Sequence, residues 1–333
     1  MKPLVYHRAA SLELAVQGAL AGQRLLGGGT NLVDLMRKGV EGPSALLDVS
    51  GLSQDIAATA DGGLRIGAAA RNSRVAADPM VRERYPMLAR AILAGASAQV
   101  RNMATVGGNL MQRTRCLYFQ DAAASRCNKR TPGSGCDAHG GFNRYHAVIG
   151  GSDNCIATHP SDMCVALAAL DAIVHLAGPD GARTLPLADF HLLPGARPDL
   201  ETALAPGEVI AAIELPPPNL AASSGYRKVR DRASYAFAVV SVALDLEVRD
   251  GRIAHIRIAF GGMAPKPWRA LRAEALLAGG PVDAAQVARA MDAEFGAATP
   301  PAGAAFKIEL ARRTLGFMLD TLAKTPASNG SAA

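Results

Sequence analysis

Five cysteines are the residues of this chain whose type and spacing most directly indicate chemistry. They lie in the middle third of the sequence, at Cys116, Cys127, Cys136, Cys155 and Cys164. An odd number of clustered cysteines in a chain of 333 residues does not resemble the disulfide framework of a small secreted protein. Clustering of this kind indicates metal or redox chemistry.

One of the five fits an ordinary core position. Cys164 lies in an apolar helical pattern, where a buried free thiol is common. The other four lie in a polar segment rich in glycine and arginine, at about 113–158, where core thiols are not expected. A segment of that length without a regular period is usually a functional insertion. The candidate metal ligands are therefore Cys116, Cys127, Cys136 and Cys155.

Four thiolates are a common ligand set for a 4Fe–4S cluster and also for structural zinc. The spacing C-x10-C-x8-C-x18-C matches neither the ferredoxin run nor the closely paired cysteines of zinc sites. Between residues 113 and 159, six basic side chains outnumber three acidic ones, which would offset the negative charge of an iron–sulfur cluster. The residues alone leave both metals open. The nearby histidines are more often hydrogen-bonding or exposed loop residues than ligands: His139, His146 and His159.

Two glycine-rich turns are the second chemical feature. Gly27-Gly28-Gly29 lies between a predicted strand and a predicted helix, and a second turn contains Gly107-Gly108. Such glycines let the backbone approach a bulky anion, which the N–H groups attract. Neither turn has the Rossmann or P-loop spacing, and a lone glycine run is more often a simple tight turn. Two turns flanked by Thr and Asn suit the two phosphates of a dinucleotide. Asp162 could then bind a ribose hydroxyl, although Ser161-Asp162 is also an ordinary helix start.

Apolar periodicity predicts the elements that must position these residues. Helices are predicted at 11–21, 32–38, 82–95, 162–171, 268–278, 283–296 and 306–323. Strands are predicted at 24–26, 45–49, 64–68, 173–177, 209–215, 236–248 and 252–260. Asp250-Gly251 indicates a tight hairpin, and the proline-rich stretch 216–224 is the best candidate for a domain boundary.

Composition excludes several classes of protein. Apolar residues make up 49% and charged residues 19% of the chain, which excludes global disorder. The net charge of +6 is too small by itself to indicate a nucleic-acid-binding surface. The sequence contains no apolar run long enough for a membrane span. Its first residues also lack the apolar stretch of a signal peptide.

Three segments together resemble the FAD-binding subunits of molybdenum hydroxylases, the family of xanthine dehydrogenase and carbon monoxide dehydrogenase medium subunits. They are Leu26–Leu32, Ala104–Asn109 and His159–Asp162, in an order and spacing that fit over nearly the whole chain. The residues around Cys116, Cys127 and Cys136 are similar to a subgroup, the FAD subunits of periplasmic aldehyde oxidoreductases. That subgroup carries an additional 4Fe–4S cluster.

The resemblance implies an α+β fold with two domains. Residues 1–218 would form an FAD-binding domain of the vanillyl-alcohol-oxidase/PCMH type, built from two α/β subdomains, with an iron–sulfur insertion at about 113–158. Residues 221–325 would form a C-terminal domain with an antiparallel sheet and helices. We expect 326–333, which are small and polar, to be a disordered tail.

The resemblance also implies the residues that bind the cofactors. Those expected to bind FAD are Leu25, Leu26, Gly27, Gly28, Gly29, Thr30, Asn31, Leu32, Thr105, Val106, Gly108, Asn109, Asp162, Ile213 and Lys228. Among them, Asp162 would bind the ribityl or ribose part, Ile213 would lie along the cofactor, and Lys228 would approach the isoalloxazine. The 4Fe–4S ligands would be Cys116, Cys127, Cys136 and Cys155.

The implied function is electron transfer within a molybdenum-dependent aldehyde oxidoreductase. The chain would assemble with a molybdopterin-binding large subunit and a 2Fe–2S small subunit as a heterotrimer. Electrons would pass through these partners and FAD to an external acceptor, and no residue of this chain would be catalytic. A free-standing FAD oxidase and a zinc-stabilised binding module are the alternatives. We expect a periplasmic location reached by folded export on a partner's twin-arginine signal, with the cytoplasm as the alternative.

Overall fold

Three β-sheets and their flanking helices organise the chain in a computed structural model that describes residues 3–325. The predicted tail at 326–333 lies outside the described residues. The strands are β1 Val5–Arg8, β2 Arg24–Leu26, β3 Ala45–Asp48, β4 Ile56–Ala58, β5 Leu64–Gly67, β6 Ile173–Gly178, β7 Gly181–Pro186, β8 Val209–Leu215, β9 Ser223–Val229, β10 Val240–Arg249, β11 Arg252–Gly261 and β12 Trp268–Arg269. The α-helices are α1 Leu12–Leu20, α2 Leu32–Arg37, α3 Asn72–Ala77, α4 Pro79–Arg84, α5 Pro86–Ala94, α6 Ala98–Met103, α7 Val106–Leu110, α8 Leu117–Gln120, α9 Asp162–Ala169, α10 Leu187–Phe190, α11 Leu271–Leu277, α12 Ala284–Phe295 and α13 Phe306–Ala323.

The first sheet is parallel, with strand order β1-β3-β2, and it carries the first glycine turn at the end of β2. Ser11 begins α1 as predicted, because its side chain accepts a hydrogen bond from the Leu14 N–H. The second sheet is antiparallel, with the order β4-β5-β8-β6-β7. These two sheets and their helices make up the N-terminal part of the fold.

The third sheet is antiparallel, with the order β12-β11-β10-β9, and α11, α12 and α13 complete this part of the chain. Asp250 and Gly251 both have positive φ, at 50° and 74°, so the predicted hairpin between β10 and β11 is confirmed. Helix α9 packs against α5 on one side and against β10 and β11 on the other. All of its residues are buried, so it joins the N-terminal and C-terminal parts. The α+β architecture agrees with the prediction.

One predicted helix is wrong as a single element. The pattern at 82–95 is divided between α4 and α5, with Tyr85 between them at φ −132° and ψ 51°. Pro86 causes the break, because proline has no N–H and disfavours a helical conformation in the residue before it. Helix α6 was not predicted. Its start is fixed by Ser97, whose side chain accepts a hydrogen bond from the Val100 N–H.

The insertion at about 113–158 contains one short helix, α8, and is otherwise built from turns and isolated bridges. This agrees with its lack of a sustained period. Within residues 3–325, no helix combines the length and hydrophobicity that a membrane crossing requires.

Candidate cofactor site

The two glycine turns meet in the fold. A Cβ atom on Gly28 would overlap the Met103 carbonyl, and one on Gly27 would lie 2.5 Å from the Thr105 hydroxyl oxygen. Thr105 is held in place because its Oγ1 accepts the Gly108 N–H at 3.1 Å. Gly27 and Gly28 are therefore required to be glycine because the chain around the second turn lies so close to them. Gly29 has a positive φ of 73°, which glycine adopts more readily than other residues.

Polar side chains link the second turn to the start of α9. Asn109 Oδ1 accepts the Ser161 hydroxyl at 2.7 Å, and Ser161 Oγ accepts the Cys164 N–H at 3.0 Å. On the first turn, Asn31 Oδ1 accepts the Arg113 N–H at 2.8 Å. Asn31 Nδ2 is buried and has no partner within the described chain. A buried N–H group of this kind needs an acceptor, which a bound ligand would supply.

Two cavities meet at these turns, and a third adjoins the second of them. The first, of about 390 Å³, lies against the first turn, and the second, of about 610 Å³, extends toward α9 and β9. Thr30, Asn31 and Gly108 line both of them. The third cavity, of about 440 Å³, shares Asp162 and Phe237 with the second and also includes Cys116 in its wall. The glycine turns therefore lie at the junction of the first two cavities.

A buried ion pair forms part of the wall of the second cavity. Lys228 Nζ donates to Asp162 Oδ2 at 2.9 Å and to the Ala94 carbonyl at 3.1 Å, and both charged side chains are more than nine-tenths buried. Asp162 Oδ1 accepts the Tyr226 hydroxyl at 2.5 Å. Burial raises the pKa of Asp162, while Lys228 and Tyr226 lower it. A lysine ammonium has three donors, so one remains available to the cavity.

Most of the residues expected to bind FAD lie on these walls. The first cavity is lined by Leu25, Gly27, Gly28, Gly29, Thr30, Asn31, Leu32, Thr105 and Gly108. The second is lined by Thr30, Asn31, Gly108, Asn109, Asp162 and Lys228.

The structure does not bring the remaining three to the walls of these cavities. Ile213 is 1% exposed and belongs to the main hydrophobic core, where its strand neighbours are Ile66 and Val174. Val209 and Ile210 supply the wall from that strand instead. Val106 is also a core residue, and Leu26 lies in β2 beside the first turn.

The four candidate thiols converge on one another. Cys127 and Cys136 are partners in an isolated antiparallel bridge, and Cys155 lies in a tight turn closed by reciprocal backbone bonds with Ser152. The pKa of Cys116 is raised to about 12, chiefly by burial, and the nearby thiols of Cys155 and Cys127 contribute to this rise. Burial likewise raises the pKa of Cys155, to which Cys136 and Cys127 also contribute. All five cysteines of the described chain are free thiols.

Hydrogen-bond donors surround these thiols. The Ala157 N–H donates to Cys155 Sγ at 3.4 Å, and the N–H groups of Tyr118 and Phe119 lower the pKa of Cys116. Lys129, which is 8% exposed, lowers the pKa of Cys155 in opposition to burial. A site lined by donors and one buried cation stabilises anionic sulfur ligands.

A buried charge cluster that the sequence did not predict connects the first cavity to this cysteine site. Arg113, on the cavity wall, contacts Glu41 at 2.7 Å and Glu201 at 2.5 Å, and Lys129 contacts Glu201 at 3.0 Å. Burial raises the pKa of Glu201, but Lys129 and Arg113 hold it below its usual value. Arg113 and Lys129 were recognised in the sequence as basic residues. Their acidic partners were not, because they are remote along the chain.

A second group of side chains that could bind a metal lies beneath the second turn. The side chains of His159, Cys164 and His191 place one ligand atom each within 4.8 Å of one another. His159 Nδ1 accepts the Ser161 N–H at 3.4 Å, so its proton is on Nε2, whereas His191 donates from Nε2 to the Leu110 carbonyl at 3.0 Å. The N–H of His159 Nε2 and the lone pair of His191 Nδ1 remain without partners. A donor and an acceptor so placed suit a hydrogen bond or a bridging water better than a metal. Cys164 is a core thiol, as predicted.

Lys307 is another residue that the prediction missed. It is fully buried and donates to the carbonyls of His146, at 2.7 Å, and Gly262. It lies four residues before Ala311 and eight before Leu315, on the buried stripe of α13. A lysine on an apolar stripe could have been recognised from the helical period alone.

Comparisons with known proteins match the chain over nearly its full length. The family model described as the FAD binding domain in molybdopterin dehydrogenase matches residues 2–218. The CO dehydrogenase flavoprotein C-terminal domain matches residues 194–321.

Relatives and solved structures show the same likeness. The aldehyde oxidoreductase FAD-binding subunit PaoB of Escherichia coli strain K12 is 52% identical over 327 residues, which are 96% of this chain and 98% of that protein. The glyceraldehyde dehydrogenase medium chain of Sulfolobus acidocaldarius is 28% identical, over 81% of this chain and 79% of its own length. A solved structure of carbon monoxide dehydrogenase from Hydrogenophaga pseudoflava, in a form lacking the Mo-pyranopterin moiety, superposes with a TM-score of 0.74 at 24% identity. It covers 97% of this chain and 98% of its own.

Proposed function

This chain belongs to the family of FAD-binding medium subunits of molybdenum hydroxylases, and from that membership we propose that it is the electron-transfer subunit of a molybdenum-dependent aldehyde oxidoreductase. In this proposal it holds FAD and a 4Fe–4S cluster. The observation that carries the proposal is the meeting of the two glycine turns at the junction of two cavities. The name of the relative with 52% identity supports an aldehyde as the substrate of the whole enzyme.

The residues present fit FAD. The first cavity, lined by residues of both turns, would hold the pyrophosphate, and the unpartnered Asn31 Nδ2 on its wall offers a donor there. Lys228 presents its third donor to the second cavity, where it would favour negative charge on a flavin ring. When bound, flavin supplies electron exchange both singly with clusters and in pairs with acceptors.

The cysteine site fits a 4Fe–4S cluster. Cys116, Cys127, Cys136 and Cys155 are free and mutually close. Backbone N–H groups beside Cys116 and Cys155, and Lys129 beside Cys155, favour the anionic forms of these two thiols. Four thiolates also suit zinc, and the resemblance to the subgroup with an additional cluster favours iron. Cys116 lines the third cavity, which adjoins the second, so the two cofactors would be close neighbours.

The partners follow from the same family. Relatives are named as a FAD-binding subunit or a medium chain, which supports assembly with a molybdopterin-binding large subunit and a 2Fe–2S small subunit. We propose a heterotrimer in which electrons from these partners reach FAD on this chain and leave to an external acceptor. The chain's own residues bind, orient and shield the cofactors, and none of them acts as a general acid or base.

Anaerobic purification of the complex tests the proposal. We expect molybdenum on a copurifying large subunit, and one FAD, four additional iron atoms and four sulfides for this chain, where a cubane is the expected unit. Flavin-dependent oxidation by the isolated chain, without molybdenum or partners, would instead indicate a free-standing oxidase. Zinc in place of iron, with no visible absorption, would indicate the zinc-stabilised binding module.

We further propose that the complex works in the periplasm and arrives there folded, on a twin-arginine signal carried by a partner. An iron–sulfur site on buried thiolates would have to be assembled before export, which favours folded transport. Cell fractionation with a cytoplasmic marker tests this, and full retention of the chain with that marker would favour the cytoplasm.

A further inference from the structure

We infer that His146 is a positioning residue that donates a hydrogen bond from Nε2 to the thiolate of Cys116 and thereby raises the reduction potential of the cluster. The inference rests on the proposed function, because it concerns the cluster that Cys116 would hold. It assigns a role to a histidine that the sequence offered only as an ordinary loop residue.

The contact between the two side chains is direct. His146 Nε2 lies 3.1 Å from Cys116 Sγ, well within the range of a hydrogen bond to sulfur. His146 is 4% exposed, and together with Cys116 it forms part of the wall of the third cavity. The imidazole also packs against the Tyr118 ring, with the centroids 6.2 Å apart.

The chemistry of the ligand fixes the direction of the bond. A thiolate that binds iron has no proton and can only accept, so the proton must be on His146 Nε2. Nδ1 is buried and makes no hydrogen bond among residues 3–325. The neutral ring with Nε2–H is therefore the tautomer that satisfies the contact with the thiolate.

The C-terminal part of the fold holds the backbone of His146 in place. Lys307 of α13 donates from Nζ to the His146 carbonyl at 2.7 Å, and the His146 N–H donates to the Asn143 carbonyl at 3.0 Å. On the opposite side, the Cys116 N–H donates to Thr114 Oγ1 at 3.2 Å. The main chain at both ends of the contact is therefore held by hydrogen bonds before any metal binds.

The expected consequence is electronic. A donor directed at a sulfur ligand stabilises the more negatively charged, reduced form of a cluster, and hydrogen bonds to sulfur are among the factors that set its potential. Removing the donor should lower the potential. A replacement of His146 that keeps an N–H donor should preserve much of the potential.

The test uses three variants of the intact complex: His146→Leu, His146→Gln and, as the control, His139→Leu. His139 is exposed in the same insertion, and its backbone N–H donates to the Cys136 carbonyl, so its substitution probes the same loop without the thiol contact. Iron per chain and the midpoint potential of the cluster, followed by EPR during a redox titration, are measured for each. The EPR signal is assigned to this chain by its loss in Cys116→Ser.

We expect His146→Leu to lower the reduced-to-oxidised ratio about tenfold at the midpoint potential of the unmutated complex, a shift of about 59 mV for a one-electron couple. His146→Gln should recover most of the shift, and His139→Leu should show none. An unchanged midpoint in His146→Leu with full iron content overturns the inference while leaving the proposed cluster intact. An unmutated complex without iron in this chain overturns both.

A measurement on the unmutated complex covers the case in which His146→Leu does not retain iron. Selective ¹⁵N labelling of histidine followed by pulsed EPR should reveal one histidine nitrogen coupled to the cluster, and the coupling should be lost in His146→Gln. Absence of any ¹⁵N coupling overturns the inference.

Discussion

Lys228 and Asp162 are 66 residues apart in the sequence, yet Lys228 Nζ and Asp162 Oδ2 are separated by 2.9 Å in a buried ion pair. The pair joins β9 of the C-terminal sheet to the first residue of α9. Since Asp162 follows the Ser161 cap that binds Asn109, the charge pair and the second glycine turn share one hydrogen-bonded path. The wall of the second cavity is therefore built by both parts of the fold together.

Breaking this pair should destabilise the protein and weaken FAD binding. Lys228→Met leaves the Asp162 carboxylate buried without its cation, which typically costs about 3–5 kcal/mol. We expect a lower FAD content and a lower urea midpoint, measured by flavin absorbance per chain and by denaturation. Lys324→Met is the control, because its pair with Asp320 is exposed and worth at most about 1 kcal/mol.

The double variant Lys228→Met/Asp162→Asn decides whether the effect comes from the uncompensated charge. We expect it to be more stable than Lys228→Met alone, since no buried carboxylate is left unpaired. Equal or lower stability of the double variant would show that the pair does not act through its charges.

Gly28→Ala should impair FAD binding, because the added methyl group would overlap the carbonyl of Met103, the last residue of α6 before the second turn. Overpacking of this kind costs about 1–3 kcal/mol, and the turns must separate to relieve it. We expect FAD affinity to fall about tenfold or more, since about 1.4 kcal/mol corresponds to a factor of ten. Gly42→Ala is the matched control, because no atom lies within 4 Å of its Cβ. Unchanged FAD affinity in Gly28→Ala would exclude the turns as the binding site.

Lys307 should make stability depend on pH. Burial lowers its pKa to about 7, whereas a lysine in an unfolded chain titrates near 10.4. Between these values the unfolded state binds more protons, so this residue makes the protein more stable as the pH rises and less stable as it falls toward 7. From pH 7 to pH 9 the free energy of unfolding should rise by about 2 kcal/mol more in the unmutated chain than in Lys307→Met.

Urea titrations at the two pH values check this, with the fluorescence of Trp268 as the probe. Trp268 packs against the hydrophobic core that contains α13, so it reports on the part of the fold that holds Lys307. Parallel pH profiles for the two proteins would show that Lys307 keeps an ordinary pKa.

Periodicity and motifs predicted much of this molecule. The limits of α13 and β8 agree with the predicted 306–323 and 209–215, because both have uninterrupted apolar patterns. The break at Tyr85 could have been predicted only by treating Pro86 as stronger evidence than the helical period. Ile213 was placed along the cofactor, but the sequence does not show which residues of a buried strand reach a cavity and which enter the core.

The contacts within the site were less predictable than the residues. The sequence indicated Lys228 and Asp162 separately, but their pairing depends on how β9 meets α9, which no local pattern contains. The same holds for Lys129 and Glu201, and for His146 and Cys116. Such long-range pairs are determined by tertiary packing, which patterns in a single sequence do not reveal.

Replacing the cysteines one at a time tests the iron–sulfur assignment most directly. The variants are Cys116→Ser, Cys127→Ser, Cys136→Ser and Cys155→Ser, with Cys164→Ala as the control in a core position. Iron and acid-labile sulfide per chain are measured in complexes purified without oxygen. We expect each of the four serine variants to lose most of the iron of this chain and Cys164→Ala to retain all of it. Full iron content in any one of the four would contradict a cluster held by these thiols.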